Sequence, residues 1–235
     1  YIADLGNLVV RKVDAATGII STVAGTGTSG YSGDGGLATA AEFISPAFIA
    51  IDASDNVYVS DLTGSVIRKI DIATGIISTF AGTGVSAYSG DGGPATAAEL
   101  QNPYGMAFAA DGSLYIADQS SNVVRRIDAV TGIITTVAGT GTGGYNGDGI
   151  LATAADLFGC RYVAFNNSGE LLISEGAGQR IRKVDGAGLI STIVGTGVQG
   201  NAGDGGLATA AQINFPRGIV VDPSNGNLFF TESTG

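Results

Sequence analysis

Residues 25–43 read GTGTSGYSGDGGLATAAEF, and close copies of this stretch follow three more times along the chain. The copies are GTGVSAYSGDGGPATAAEL from residue 82, GTGTGGYNGDGILATAADL from residue 139 and GTGVQGNAGDGGLATAAQI from residue 195. The aspartates of their shared Gly-Asp-Gly centre are Asp34, Asp91, Asp148 and Asp204, at steps of 57, 57 and 56 residues. A fixed period indicates a repeat architecture, because each repeat is one supersecondary unit that buries its apolar surface against its neighbours. We call each copy of this stretch an insert.

Short runs rich in Val, Ile, Phe and Tyr lie between the inserts, bounded by Gly, Asp, Asn or Ser, and predict four strands per repeat. The predicted strands are residues 8–14, 19–24, 47–52, 57–61, 104–109, 113–118, 123–128, 133–138, 161–166, 170–175, 180–185, 189–194, 217–222 and 227–232. Four antiparallel strands repeated in this way predict an all-β protein made of β-propeller blades. A parallel β-helix is disfavoured, because its coils are shorter than 57 residues and lack hairpin turns. Within the inserts, segments such as 94–100 predict one or two helical turns pinned by an apolar residue.

The repeats fall at about 1–46, 47–103, 104–160, 161–216 and, in part, 217–235, within one propeller domain. Asp4 and Glu232 end equivalent strands and are 228 residues apart, which is four periods of 57. In a closed ring of four blades these two strands would compete for one position. We therefore expect the chain to cover about four blades of a longer propeller, most simply a ring of six.

The pattern NPYGMAFAADGSLYIAD at residues 102–118, followed by VVRRID at 123–128, resembles the NHL repeat. The flanking pattern VAGTG…GDGGPATAA is similar to the extended NHL repeats of bacterial and teneurin-like proteins. The resemblance covers the whole chain, although Glu175 and Glu232 replace an Asp and Cys160-Arg161-Tyr162 replaces the usual Pro-x-Gly. It implies a propeller, usually six-bladed, that acts as a protein- or glycan-binding scaffold outside the cell or at its surface.

Two sets of acidic residues recur and form the candidate ligand-binding residues. Strand order in a meander blade puts the inserts and the ends of the second strands on one face, which gives the set Asp34, Asp91, Asp148, Asp204, Asp61, Asp118, Glu175 and Glu232. Their oxygens suit a cation or a basic ligand. We favour a structural interpretation, since Asp between glycines bonds nearby backbone N–H groups and the strand-end acids can pair with Arg. Calcium is a weak prediction, because the Gly-Asp-Gly loop lacks the alternating oxygens of a calcium loop; no other metal or cofactor is expected.

Basic residues recur as adjacent pairs, one per repeat: Arg11-Lys12, Arg68-Lys69, Arg125-Arg126 and Arg182-Lys183. Adjacent strand residues point to opposite faces, so one of each pair is predicted to lie between sheets against a carboxylate. The net charge is −10 and no basic stripe remains, so nucleic acid is not an expected partner. No apolar run approaches the ~18 residues of a membrane span.

Catalysis is not expected, and no catalytic residue is predicted. The chain has no histidine, the commonest general base, and the related propeller lyase that cleaves hydroxyglycine peptides uses zinc bound by histidine. Cys160 therefore has no His partner and is interpreted as a buried residue. Asn166-Asn167-Ser168 fits a glycosylation sequon. The favoured function is a binding scaffold for a protein or glycan; the alternatives are a calcium-dependent, lactonase-like hydrolase and a building block of a filament or surface layer.

Overall fold

A computed structural model describes residues 1–233, and its strands follow the predicted repeat. The strands are β1 (Ile2–Asp4), β2 (Val9–Val13), β3 (Ile20–Ala24), β4 (Pro46–Ile51), β5 (Val57–Asp61), β6 (Val66–Ile70), β7 (Ile77–Ala81), β8 (Pro103–Phe108), β9 (Leu114–Asp118), β10 (Val123–Ile127), β11 (Ile134–Ala138), β12 (Ile150–Leu151), β13 (Cys160–Phe165), β14 (Leu171–Glu175), β15 (Arg180–Val184), β16 (Leu189–Val194), β17 (Ile219–Val221) and β18 (Leu228–Phe230). The range of β1 agrees with the expected strand end at Asp4, and the other strands except β6, β7 and β12 lie within two residues of a predicted strand, so the all-β prediction is confirmed.

Single 3-10 turns supply the helical structure of residues 1–233: Leu5–Asn7, Ala38–Ala40, Ala95–Ala97, Ala152–Ala154 and Ala208–Ala210. Four of them lie in the inserts, at the place where one or two helical turns were predicted. Each is followed by an apolar anchor that is at most 3% exposed, and these anchors are Phe43, Leu100, Leu157 and Ile213. No helix in residues 1–233 has the length and apolar character needed to cross a bilayer.

The chain divides into two compact units, residues 1–104 with 128–134 and residues 105–127 with 135–235, and each is described by itself. The first unit holds the sheet β1-β2-β3 and the four-stranded sheet β4-β5-β6-β7. The second unit holds the pair β9-β10, the sheet β12-β16-β15-β14-β13 and the two-stranded sheet β17-β18. The pair β9-β10 is the centre of a four-stranded meander formed by β8 to β11. Within each sheet, apart from β12, strands that are consecutive in the chain are neighbours, which is the arrangement of a propeller blade.

The central strands are buried on both faces. All five residues of β5 and all five of β14 are buried, although their side chains alternate between the two faces. In the first unit Val10, Phe43, Val57 and Ile70 belong to one core cluster. In the second unit Leu172, Ile181, Ile213 and Ile219 form the corresponding cluster. Such strands need a covering layer on each side, as repeated sheets provide.

The first three inserts each form a backbone hydrogen bond between their first glycine and their 3-10 turn, and then pair with the sheet that follows. In the first insert, the N–H of Gly25 donates to the carbonyl of Ala38 at 2.9 Å. Farther along, the N–H of Gly35 donates to the carbonyl of Ile77 at 2.8 Å, and the N–H of Ile77 donates to the carbonyl of Gly36 at 3.0 Å. The third insert repeats this contact as a short strand, since β12 pairs with β16 through Ile150 and Ile190. This pairing of the insert with the outer strand of the next sheet was not predicted from the sequence.

Two glycines of the first insert offer a matched test of the close approach between the loop and its own 3-10 turn. Gly33 has φ +91°, and a Cβ there would lie 2.7 Å from the Cα of Ala41; Gly35 has φ +80° with open space around it. We expect Gly35→Ala to lower the free energy of unfolding by about 1–2 kcal/mol, the cost of a left-handed Ala. We expect Gly33→Ala to cost about 3 kcal/mol or more, because overpacking adds to that strain.

Urea denaturation measures both glycine variants, with the m-value checked for a constant change in exposed surface. Equal destabilisation by the two substitutions would contradict the packing argument. It would mean that the left-handed backbone conformation, which both positions share, accounts for all of the lost stability.

Candidate functional site

Two of the insert aspartates, Asp34 and Asp148, are held by arginines of the following sheet. In the first unit, Nη2 of Arg68 lies 2.7 Å from Oδ1 of Asp34, and the N–H of Thr79 donates to the other carboxylate oxygen at 3.0 Å. In the second unit, Nη2 of Arg182 lies 2.9 Å from Oδ1 of Asp148. Both arginine side chains are fully buried, whereas the aspartates are 44% and 37% exposed. We call this contact the arginine clamp; it supports the structural interpretation of the insert aspartates.

The buried guanidinium also organises the insert around it. Arg68 donates through Nη2 to the carbonyl of Ser32 at 3.0 Å and through Nη1 to the carbonyl of Glu42 at 3.3 Å. Its guanidinium carbon lies 5.1 Å from the ring centre of Tyr31 and 5.6 Å from that of Phe43, within cation–π range. The arginine therefore joins the insert's carbonyls, rings and carboxylate at one point.

The second residue of each basic pair points to the other face of its strand. Nζ of Lys183 lies 2.9 Å from a carboxylate oxygen of Glu170, and Nη2 of Arg126 lies 3.2 Å from a carboxylate oxygen of Asp111. Both side chains are partly exposed, whereas the first residue of each pair, Arg125 or Arg182, is fully buried. The predicted alternation is confirmed for the last three basic pairs, whereas Arg11 of the first pair is 37% exposed.

The acidic residues at the ends of the second strands, which we call the strand-end acids, make a second type of contact with the inserts. The sequence did not indicate this contact. Three of them accept the backbone N–H of the first residue after the preceding insert: Asp61 from Ile44 at 2.8 Å, Glu175 from Phe158 at 3.0 Å, and Glu232 from Asn214 at 2.7 Å. Asp61 also accepts the N–H of Ser45 at 2.6 Å and of Gly64 at 3.3 Å.

Pairing of the strand-end acids with arginine was the expected role. It holds for Asp118, 3.7 Å from Nη1 of Arg125, and for Glu175, 3.5 Å from Nη1 of Arg182. Arg182 thus brings Glu175 together with the insert aspartate Asp148. Asp61 differs from this expectation, because backbone N–H groups occupy its oxygens instead.

The remaining candidate residues lie at the surface of their units. Asp91 is exposed in the second insert and Asp204 in the fourth. Within residues 1–233 Asp204 forms no ion pair; together with Glu232 it lines a cavity of about 580 Å³. No three acidic or cysteine side chains of the described chain lie close enough together to hold a metal ion. The weak calcium prediction therefore rests on the sequence alone.

Cys160 lies in the buried core and Asn166 lies in a turn between two strands. Cys160 is buried, as predicted, and burial together with the nearby carboxylates of Glu175 and Asp118 raises the pKa of its thiol well above the usual value. Asn166 lies in the turn between β13 and β14, where its amide nitrogen donates to Glu170 at 2.7 Å. Glycosylation of Asn166 stays a prediction.

Exposed tyrosines of the inserts were missed by the sequence reasoning. Tyr31, Tyr88 and Tyr145 are 44%, 42% and 45% exposed, and each lies three residues before an insert aspartate. The hydroxyl groups of Tyr31 and Thr79 lie 2.6 Å apart. Their spacing of 57 residues is visible in the sequence, but exposure is not.

Arg180 departs from the repeat, because Val66 and Val123 occupy the same place in β6 and β10. Its guanidinium carbon lies 4.0 Å from the ring centre of Tyr145 and its Nη2 donates to the carbonyl of Thr196 at 3.0 Å. Arg180 and Tyr145 line a cavity of about 330 Å³, and Asp148, Thr192 and Thr209 line it with them. The third insert is thereby distinguished from its copies.

The arginine clamp predicts different stabilities for two substitutions in the same motif. Asp34→Ala leaves the buried Arg68 without its carboxylate, so we expect a loss of about 2 kcal/mol, below the usual cost of breaking a fully buried pair because Asp34 is half exposed. Asp204→Ala removes an aspartate without an arginine partner and should change stability by less than about 0.5 kcal/mol. Chemical denaturation in dilute solution compares the two. Equal losses would contradict the clamp.

Glu175 predicts a pH dependence. Burial raises the pKa of Glu175 from 4.5 to about 7, against the opposing pull of Arg182 and the Phe158 N–H. Between these values the folded chain holds a proton that the unfolded chain releases, so the free energy of unfolding falls as pH rises, by up to about 3 kcal/mol. Asp14 and Asp71, whose pKa values are lowered by hydrogen bonds from Thr17 and Thr74, titrate below this window.

We expect Glu175→Gln to flatten the stability profile between pH 4.5 and 7, as measured by denaturation at a series of pH values. Glu232→Gln is the matched control, since Glu232 occupies the equivalent position of the repeat but is exposed, and this variant should keep the slope. A wild-type profile that is level or rises through this window would refute the assignment.

Comparison with known proteins shows which family model and which relatives these repeats match. The family model described as the teneurin NHL domain matches residues 14–89 and 84–146. Protein SUPPRESSOR OF QUENCHING 1, chloroplastic, from Arabidopsis thaliana is 26% identical over 99% of this chain and 23% of its own length. NHL repeat-containing protein 2 from Gallus gallus is 26% identical over 100% of this chain and 36% of its own length. The chain thus spans well under half of these curated relatives.

Solved structures show the same fold at low identity. An auxiliary nutrient binding protein from Bacteroides ovatus has a TM-score of 0.62 at 16% identity, covering 94% of this chain and 61% of that one. Virginiamycin B lyase from Staphylococcus aureus has a TM-score of 0.57 at 17% identity, covering 97% and 58%; its form with a histidine replaced by alanine is described as catalytically inactive. A gluconolactonase-like protein has a TM-score of 0.59 at 14% identity, covering 99% and 67%.

The period, the repeated antiparallel sheets and the family match over more than half of the sequence agree. This chain belongs to the NHL-repeat family, in its teneurin NHL domain form.

Proposed function

We propose that this chain is a non-enzymatic scaffold that binds a protein or glycan through the exposed side of its inserts. The observation that carries the proposal is the difference between the acidic residues and the tyrosines in and around the first and third inserts. The acidic groups Asp34, Asp148, Asp61 and Glu175 are engaged in holding the fold, whereas the tyrosines remain exposed. Tyrosine is thus the recurrent side chain that the inserts offer to a ligand.

Tyrosine suits this role physically. Its ring supplies apolar contact area with few rotatable bonds, and its hydroxyl supplies a hydrogen bond, so it is enriched at binding surfaces. Around Tyr145 the hydroxyl groups of Thr192, Thr196 and Thr209 and the guanidinium of Arg180 add polar groups beside the ring. Because this arrangement breaks the repeat, the third insert is the favoured centre for a specific contact.

The similar structures support a binding function without deciding it. An auxiliary nutrient binding protein is among them. Virginiamycin B lyase is also among them, but the form lacking one histidine is catalytically inactive, and this chain has no histidine. Lyase chemistry of that kind is therefore disfavoured here.

A calcium-dependent, lactonase-like hydrolase is the second candidate, favoured by the likeness to the gluconolactonase-like protein. Calcium titration calorimetry and a lactone hydrolysis assay test it directly. Stoichiometric calcium binding with turnover would replace the scaffold proposal.

The scaffold proposal predicts that tyrosine rings carry affinity. Arrays of defined glycans and of peptides identify a ligand for the purified chain, and its affinity is then measured for Tyr31→Ser, Tyr88→Ser and Tyr145→Ser. We expect Tyr145→Ser to weaken binding about tenfold or more, since anchoring aromatic residues at interfaces are commonly worth about 2 kcal/mol.

Tyr115→Ser is the control for loss of a ring, because Tyr115 packs edge-on against Phe165 with ring centres 5.0 Å apart rather than lying in an insert. Its binding should equal that of the wild type once folding is verified by circular dichroism. No ligand on either array, or a ligand indifferent to all three insert tyrosines, would overturn the proposal.

A further inference from the structure

Arg180 carries a positive charge that no carboxylate of residues 1–233 neutralises at ion-pair distance. Its Nη1 donates to the carbonyl of Gly178 and its Nη2 donates to the carbonyl of Thr196, both at 3.0 Å. A guanidinium has more N–H donors than these two contacts use, so donors remain without a partner in the described chain. Backbone carbonyls do not cancel the charge, whereas Arg182 of the same strand pairs with Asp148 at 2.9 Å. Arg180 therefore has both charge and donors available for an anion.

Two neighbours hold the guanidinium of Arg180 in place. Its Cζ lies 4.0 Å from the ring centre of Tyr145. A Cβ added at Gly197 would overlap Cζ and both Nη atoms, so the guanidinium lies directly against that glycine. The equivalent glycines of the other inserts would meet only a backbone carbonyl: Gly27, Gly84 and Gly141. A donor group that is already held in one orientation loses less conformational entropy when a ligand binds.

The cavity of about 330 Å³ around Arg180, which we call the Arg180 pocket, also presents hydroxyl groups. The hydroxyls of Tyr145 and Thr209 form no hydrogen bond within residues 1–233. In the first insert, by contrast, the hydroxyls of Tyr31 and Thr79 lie 2.6 Å apart. The volume is within the range of small-ligand sites. The pocket thus combines a cation with neutral groups that can both donate and accept hydrogen bonds.

Asp148 gives the Arg180 pocket an acceptor whose charge is already compensated. Its Oδ1 accepts from Nη2 of Arg182 at 2.9 Å and from the hydroxyl of Thr192 at 3.1 Å. Within residues 1–233 its Oδ2 has no donor. Since Arg182 balances Asp148, the charge of Arg180 is left over and the group is positive as a whole. A ligand hydroxyl can therefore donate to Asp148 while a negative group binds Arg180.

The exposure of this place is a property of the repeat, whereas its charge is not. Tyr31 and Tyr88 lie in inserts that are followed by four-stranded sheets, and they are 44% and 42% exposed, close to the 45% of Tyr145. In two other repeats a fully buried valine takes the place of Arg180: Val66 and Val123. The arginine therefore adds a charged group to a surface that is exposed in each of these inserts.

We propose that the Arg180 pocket binds a carboxylated sugar of an acidic glycan, with Arg180 on the carboxylate and Asp148 on a sugar hydroxyl. The inference rests on the proposed scaffold function and specifies its ligand. Hydrogen bonds between a guanidinium and an ionised oxygen are strong, and the planar donor fork matches a carboxylate. A uronic acid carries hydroxyls beside its carboxylate, so one sugar can engage the cation, Asp148 and the hydroxyls of Tyr145 and Thr209. The carboxylate of an acidic peptide would engage Arg180 and leave the other groups unmatched.

Titration calorimetry of the full chain with defined oligosaccharides tests the ligand class. Tetrasaccharides of galacturonate, of mannuronate and of hyaluronate are the probes, each beside the same tetrasaccharide with its carboxyl groups reduced to alcohols. We expect at least one uronate to bind, and its reduced form to bind about tenfold more weakly or less, because the charge-assisted contact is lost. Added salt should weaken binding of the uronate, since the contact is ionic.

Arg180→Val tests the pocket with a residue that the repeat accepts at this place. It should weaken binding of the uronate about tenfold or more, while urea denaturation verifies that the variant is folded. Lys183→Gln is the control, because it removes one positive charge from the opposite face of the same strand, where Lys183 pairs with Glu170. Its affinity for the uronate should equal that of the wild type.

The outcomes separate this inference from the scaffold function on which it rests. Equal affinity for a uronate and its reduced form, or equal losses in Arg180→Val and Lys183→Gln, would overturn the Arg180 pocket. If a neutral glycan or a tetraglutamate peptide binds in a Tyr145-dependent way and no uronate binds, the scaffold function stands and the carboxylated sugar is excluded. A chain that binds no glycan and no peptide loses both proposals.

Discussion

The structure depends on a buried guanidinium in the third strand of a sheet that grips the carboxylate of the preceding insert. Arg68 and Asp34 show it in the first unit, and Arg182 and Asp148 in the second. A fully buried arginine is costly unless its charge is compensated and its donors are used. Here a carboxylate, backbone carbonyls and aromatic rings share that task. The arginine is therefore the point at which the insert is joined to the sheet that follows it.

This constraint explains why the insert changes so little between copies. Gly33 must adopt a positive φ close to the Cα of Ala41, so that the loop turns back over its own 3-10 turn. The backbone N–H of Gly35 then donates a hydrogen bond to the carbonyl of Ile77 in the following sheet. The strand-end acid closes the far end, as Asp61 does by accepting the N–H of Ile44. Carboxylates that look like a ligand site in the sequence are thus largely occupied by the chain's own donors.

The sequence predicts the strands well, because alternation, turn residues and a fixed period are local signals. It also predicts that one basic residue of each pair is buried, since alternation along a strand is local too. It does not predict that β12 pairs with β16, or that Asp61 bonds backbone N–H groups rather than an arginine. Those contacts join segments far apart in the chain, and the hydrogen-bonding partners are backbone groups that every residue carries.

The same Gly-Asp-Gly motif has different physical meaning at different places in the chain. Asp34 and Asp148 are structural because a following strand delivers an arginine, whereas Asp204 faces a cavity. Tyr145 likewise differs from Tyr31 because Arg180, absent from the other repeats, lies over its ring. In a repeat protein the shared residues build the unit. Residues whose surroundings depart from the repeat are the candidates for a specific role, and here they lie around Tyr145 of the third insert.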